Sequence, residues 1–81
     1  MTTLADLPHG APARVQAFAP GSEHALALMQ LGLVPGARVA VIRQAPLGDP
    51  LEVDVTGARL ALRRAVAATV LVLVEPLPGA P

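Results

Sequence analysis

Two histidines, six carboxylates, six arginines and one serine are the side chains of this 81-residue sequence best able to do chemistry. Their spacing narrows that chemistry sharply. A zinc or iron site needs three or four converging N, O or S ligands. His9 and His24 are separated by a whole predicted strand, with Asp6 and Glu23 as their acidic neighbours. No ligand spacing results, and the adjacent pair Glu23 and His24 makes an adventitious surface metal site at best. The absence of Cys excludes a disulfide scaffold, a Cys-based zinc site, an iron–sulfur cluster and a thiol nucleophile, and it suits a reducing compartment. Ser22 has no His–Asp pair near it, and a place at the start of a helix explains it as an N-cap. Arg59, Arg63 and Arg64 suggest an anion patch, but Glu52 and Asp54 offset the first two within a predicted hairpin. Arg64 is left without an acidic partner. No catalytic residue and no cofactor are expected.

The elements that position these groups belong to one small domain. A chain this short removes only about 60% of its unfolded surface from water, too little for both a core and a deep catalytic cleft. Zero formal charge, a pI near 6.7 and the single aromatic Phe18 argue against nucleic-acid binding, which needs clustered positive charge and rings for stacking. Hydrophobic residues make up 53% and charged ones 15%, against about 25% charged in an average domain. A surface so sparsely charged leaves apolar area for a partner and allows weak self-association. Met1 to Gly10 shows no targeting signal. The longest run without a polar or charged residue apart from Thr69, Ala65 to Val74, is about half of the roughly 20 residues a membrane-spanning helix requires. The cytosol is the expected location.

Ala13 to Phe18 alternates small or apolar residues with Arg14 and Gln16, the pattern of a half-buried strand. Pro20-Gly21 ends it, and a helix from Glu23 to about Leu31 follows, capped by Ser22 and stopped by Gly32, Leu33 and Pro35. Ala25, Leu28 and Met29 share the core face of that helix. Leu26 and Leu31 lie on its flanks, and Leu26 is expected to be exposed. Ala37 to Gln44 is a second strand with Val39 and Val41 inward. The prolines of Ala45 to Pro50 forbid a regular strand there and leave a shaped loop with Leu47 at its tip.

Leu51 to Arg63 reads as a hairpin turning at Gly57-Ala58 in type II′ geometry, so that Val55 faces Leu60, Val53 faces Leu62 and Glu52 faces Arg63. Arg64 to Ala68 forms one helical turn. Thr69 to Val74 is an apolar strand suited to cover on both sides. Five strands with one short α-helix after the first predict an all-β barrel closed on itself, spanning residues 1–75 as a single domain, with a frayed Pro-rich tail at 76–81.

Three segments, Leu31-Gly32-Leu33-Val34-Pro35-Gly36 with Val39-Ala40-Val41, then Ala45-Pro46-Leu47-Gly48-Asp49-Pro50-Leu51, then Gly57-Ala58-Arg59-Leu60-Ala61-Leu62-Arg63, together resemble the FeoA family over about residues 4 to 75. Most specific is the Pro-Leu-Gly-Asp-Pro loop between two strands, after a helix that ends in Leu-Gly-Leu with Pro-Gly behind. The resemblance implies an SH3-like barrel, also found at the C-terminus of iron-dependent repressors. It further implies a cytoplasmic, non-enzymatic accessory of bacterial ferrous iron uptake that docks on the FeoB transporter. That transporter has a GTPase domain and a membrane domain carrying Fe²⁺, and docking on it would place the accessory at the inner face of the membrane.

The partner contacts so implied are Leu26, Pro46, Leu47, Asp49 and Pro50; Leu31 on the other helix flank is a further candidate, and Arg64, left without an acidic partner, is a candidate arginine finger toward the GTPase. Beside each stands a plainer role: Leu26 packing on a strand, the prolines setting loop geometry. Leu47 is the one that folding explains least. An SH3-like barrel with one Phe has no aromatic groove for polyproline peptides. Two other readings are a metal-responsive regulatory module that binds a transcription factor, and an Fe²⁺ carrier or sensor.

Overall fold

The computed structural model describes residues 2–75. They form a six-stranded antiparallel sheet, β1 (Thr2–Thr3), β2 (Ala13–Phe18), β3 (Arg38–Gln44), β4 (Leu51–Val55), β5 (Ala58–Leu62) and β6 (Val70–Val74), in the order β1-β6-β2-β3-β4-β5. Two short helices, α1 (Ala25–Gln30) and α2 (Arg64–Ala67), and a 3₁₀ turn at Leu4–Asp6 complete it. The expected mainly-β, SH3-like class holds. The core is aliphatic: Val15, Val39, Val41, Val53, Val55, Val70 and Val72 point inward from the strands, and no polar or charged residue is buried among those described.

The strand count is six rather than five. β1 spans only two residues, below the length at which alternation can be read, yet it pairs with β6 through Thr2↔Val72 and Thr3↔Leu71. It delivers Leu4 and Leu7 into the core. The ladder does not close by strand pairing, as β1 and β5 stand at its two edges. Instead the segments after those edges meet, where the Arg64 side chain donates to the Ala5 carbonyl at 3.0 Å.

Single extra residues bend the sheet at two places. β3 slips against β4 between Val41 and Arg43, and β2 slips against β6 between Val15 and Ala17. Bulges of this kind increase local twist and re-aim side chains. The first brings Arg43 opposite Glu52.

The hairpin turns one residue earlier than its sequence suggested. Val55 pairs with Ala58, Val53 with Leu60 and Leu51 with Leu62, so the central residues are Thr56 and Gly57, with φ of 49° and 95°. Two successive positive φ values define the type I′ class. The Asp54 carboxylate selects it by accepting the Gly57 N–H at 2.9 Å. Because strands repeat every two residues, this two-residue change of register keeps every apolar side chain on its expected face. It moves the ion pairs, however: Glu52 receives Arg43 and Arg59, and not Arg63.

The helix α1 begins two residues later than expected. Ser22 donates its N–H to Ala19 within the Pro20-Gly21 turn, and its hydroxyl has no hydrogen-bond partner. His24 takes the N-cap position without a side-chain bond. The C-terminus is as expected. Leu33 donates to the Leu28 carbonyl and Gly32 to that of Met29, both at 3.0 Å, with Gly32 at φ 103°. This is the Schellman arrangement, and it buries both Leu28 and Leu33. Met29 is 37% exposed, so the core stripe of this six-residue helix reduces to Leu28 with Ala25 half-buried.

The last strand is not covered on both faces along its length as expected: Val70 and Val72 are buried and Leu71 is half-buried, but Leu73 is 61% and Val74 43% exposed. The tail expected at 76–81 lies outside the described residues.

Candidate functional site

The loop between β3 and β4 is a built object. Its tip is a turn in which Gly48 donates to the Ala45 carbonyl at 2.7 Å, leaving Pro46 and Leu47 as the central residues. Its base is closed by the Ala45 N–H on the Pro50 carbonyl at 3.0 Å. Proline sets φ for the first central position of such a turn and glycine suits its end. The consequence is Leu47 at 97% exposure.

Arg64 fastens this loop from outside. Its guanidinium donates from Nε to the Gly48 carbonyl at 3.0 Å, from Nη1 to the Ala5 carbonyl at 3.0 Å and from Nη2 to Gln44 Oε1 at 2.7 Å. Its backbone N–H donates to Asp49 Oδ1 at 3.0 Å, so a carboxylate from the loop meets the first turn of α2, where the free N–H groups favour negative charge. The other Asp49 oxygen lies 4.0 Å from Arg63. The residue that the sequence left without a partner thus has the richest set of bonds among the described side chains. Its guanidinium is occupied, which argues against a free arginine finger.

An open groove of ≈ 610 Å³ runs beside the loop, lined by Pro46, Pro50, Leu51 and Leu60 together with the ion-paired Arg43 and Glu52. On this outer face Arg43 and Arg59 both donate to Glu52. Those two bonds, that from Arg43 first, hold the Glu52 carboxyl below its ordinary pKa. Asp54 adds a longer contact of 3.6 Å to Arg59.

The other expected contacts lie on and just after α1. Leu26 is 66% exposed and Leu31 is 52% exposed; Met29 and Val34 extend the apolar surface. Their backbone is held by the helix's own bonds, and no side chain from another segment fastens it as Arg64 fastens the loop.

Among the described residues no three His, Cys, Asp or Glu side chains lie close enough to hold a metal ion. Glu23 and His24 approach to 3.8 Å, both well exposed. No described helix is long and apolar enough to cross a membrane. Two ion pairs at one carboxylate have no counterpart in the sequence pattern: Glu75 takes Arg14 at 2.8 Å and Arg38 at 3.6 Å, tying the end of β6 to β2 and β3. Its partners are far apart along the chain, and no local pattern announces them.

The curled antiparallel sheet with one helix after β2 and a shaped β3–β4 loop defines a small SH3-like protein. A sequence model of the FeoA domain matches residues 2–74, and the chain belongs to the FeoA family. It is similar to the FeoA protein of Chlorobium tepidum, with 40% identity over 99% of this chain and 74% of that one, and a TM-score of 0.83. FeoA of Stenotrophomonas maltophilia, determined with zinc, is 34% identical over 89% of both chains with a TM-score of 0.77. It is an SH3-domain protein put forward as a ferrous iron transport activating factor. The iron(II) transport protein A of Clostridium thermocellum is 32% identical over 90% of this chain, with a TM-score of 0.82. This chain spans 45% of that protein's length.

Proposed function

We propose that this protein is a non-enzymatic accessory of ferrous iron uptake that docks on the cytoplasmic side of a FeoB-type transporter and modulates its activity. Leu47 carries the reading. Placing a fully exposed leucine at the tip of a hydrogen-bonded turn leaves apolar surface in water with no return in folding. That arrangement makes sense when a second macromolecule covers it. Pro46 and Pro50 hold the shape of the loop, and Leu26 and Leu31 offer a second apolar surface to the partner. The family membership and the relative put forward as an iron transport activating factor support the transporter as that partner.

The test uses the full chain and its transporter. Leu47→Asp is expected to lower Fe²⁺ uptake at least to about a tenth of the wild-type increment, as for loss of a central interface anchor, with the thermal midpoint unchanged. Affinity capture from detergent-solubilised membranes is expected to recover the transporter with the wild type and not with the variant. Recovery of a soluble DNA-binding protein in its place would favour the regulatory-module reading. Uptake and capture both unaffected by the substitution would overturn the docking site.

A further inference from the structure

From the four bonds at Arg64 we infer that this arginine is a positioning residue for the docking loop, holding Leu47 in its binding geometry before the partner arrives. The inference rests on the docking reading and goes beyond it by assigning to Arg64 a role made inside the protein rather than across the interface.

Three features carry it. The guanidinium spends its donors on three oxygens from three separate segments: Ala5 in the 3₁₀ turn, Gln44 at the end of β3 and Gly48 in the loop itself. The backbone N–H of the same residue takes Asp49, on the other side of the loop tip from Gln44. Leu47, flanked by these anchors, makes no comparable bond and stands 97% exposed. A planar fork with five donors can satisfy such a set, whereas a lysine ammonium, compact and on a flexible stem, cannot reproduce it. Fixing a binding loop in advance removes the ordering entropy that association would otherwise have to overcome. A leucine on a freely moving loop would bind the same partner more weakly.

Plain stabilisation of the barrel by Arg64 is the competing explanation, and a double-mutant cycle separates the two. Binding of the purified chain to the detergent-solubilised transporter is measured for wild type, Leu47→Ala, Arg64→Gln and the double variant, alongside amide order parameters of residues 47–49. Arg64→Gln is expected to weaken binding about tenfold and to lower those order parameters, and to have no further effect once Leu47 is alanine. Arg64→Lys is expected to restore only part of the loss. Should Arg64→Gln not fold, Gln44→Ala removes one of the same bonds and is expected to act in the same direction by a smaller factor. An Arg64→Gln effect of equal size with and without Leu47, or a loop that stays rigid in that variant, overturns the positioning role while leaving the docking site intact. No loss from Leu47→Ala overturns the docking site itself.

Discussion

The protein exposes leucines in two places and holds them in opposite ways. On the β3–β4 loop, Leu47 stands on a turn closed by backbone bonds and fastened by Arg64 and Asp49. On α1, Leu26 and Leu31 stand on a six-residue helix whose N-terminus lacks a side-chain cap and whose grip on the core is Leu28 and the following Leu33. Apolar exposure alone therefore does not mark one kind of surface. The loop is held by directional bonds that fix a single shape. The helix closes its far end with its own backbone bonds and is tied to the rest of the molecule there by the packing of Leu28 and Leu33, with no side-chain bond from another segment.

Substitutions that attack each kind of fastening sharpen this contrast. Leu33→Ala removes the packing that anchors α1 and is expected to cost about 2–5 kcal/mol, the range for emptying a closed aliphatic site, read by urea unfolding followed in the far ultraviolet. A melt within experimental scatter of the wild type would mean that the helix is held by something else. Gly32→Ala attacks the same end through the backbone. At φ 103° an added Cβ would meet Val55 Cγ1 at an ordinary 3.6 Å, so left-handed strain of about 1–2 kcal/mol is the whole expected effect. Leu26→Asp touches neither fastening. Its stability is expected to stay within about 0.5 kcal/mol, with Fe²⁺ uptake reduced about twofold, a loss smaller than for Leu47→Asp. Equal losses at the two sites would erase the distinction drawn between loop and helix.

The weakest effect is expected away from both leucine sites, on the outer ladder. Glu52 has its pKa lowered by Arg43 and Arg59 relative to the ordinary value of 4.5. A carboxylate whose folded pKa lies below its unfolded one stabilises the fold fully above the unfolded value and loses that contribution as pH falls through the folded value. The stability difference between wild type and Glu52→Gln is therefore expected to be flat above pH 4.5 and to shrink below it. The ladder is solvent-exposed, so added salt should shrink it too.

The faces of the strands could be read from the sequence because the two-residue period of a pleated backbone leaves its mark as alternation of apolar and polar residues. The turn that joins β4 to β5 could not. Gly57 announces a turn, but whether Thr56 or Ala58 shares it depends on the Asp54 bond to the Gly57 N–H, and a β-branched residue at positive φ runs against local preference. Leu47 was legible because two prolines and a glycine force a loop and leave a leucine nothing to pack against. The work of Arg64 was not, since its acceptors at Ala5, Gln44 and Gly48 are brought to it by the curvature of the whole sheet. The same separation hid the Glu75 pair with Arg14 and Arg38. β1 escaped because its contribution lies in edge pairing and in the placement of Leu4, not in any pattern of its own.

The pairing of Thr2 with Val72 sets the entry strand of this fold against its exit strand. A unit whose incoming and outgoing backbones run side by side can be spliced into a surface loop of a host protein for little more than the entropy of closing one short connection. Grafted that way, it would offer its leucine-tipped turn as a portable plug, and the host would need to supply no scaffold of its own.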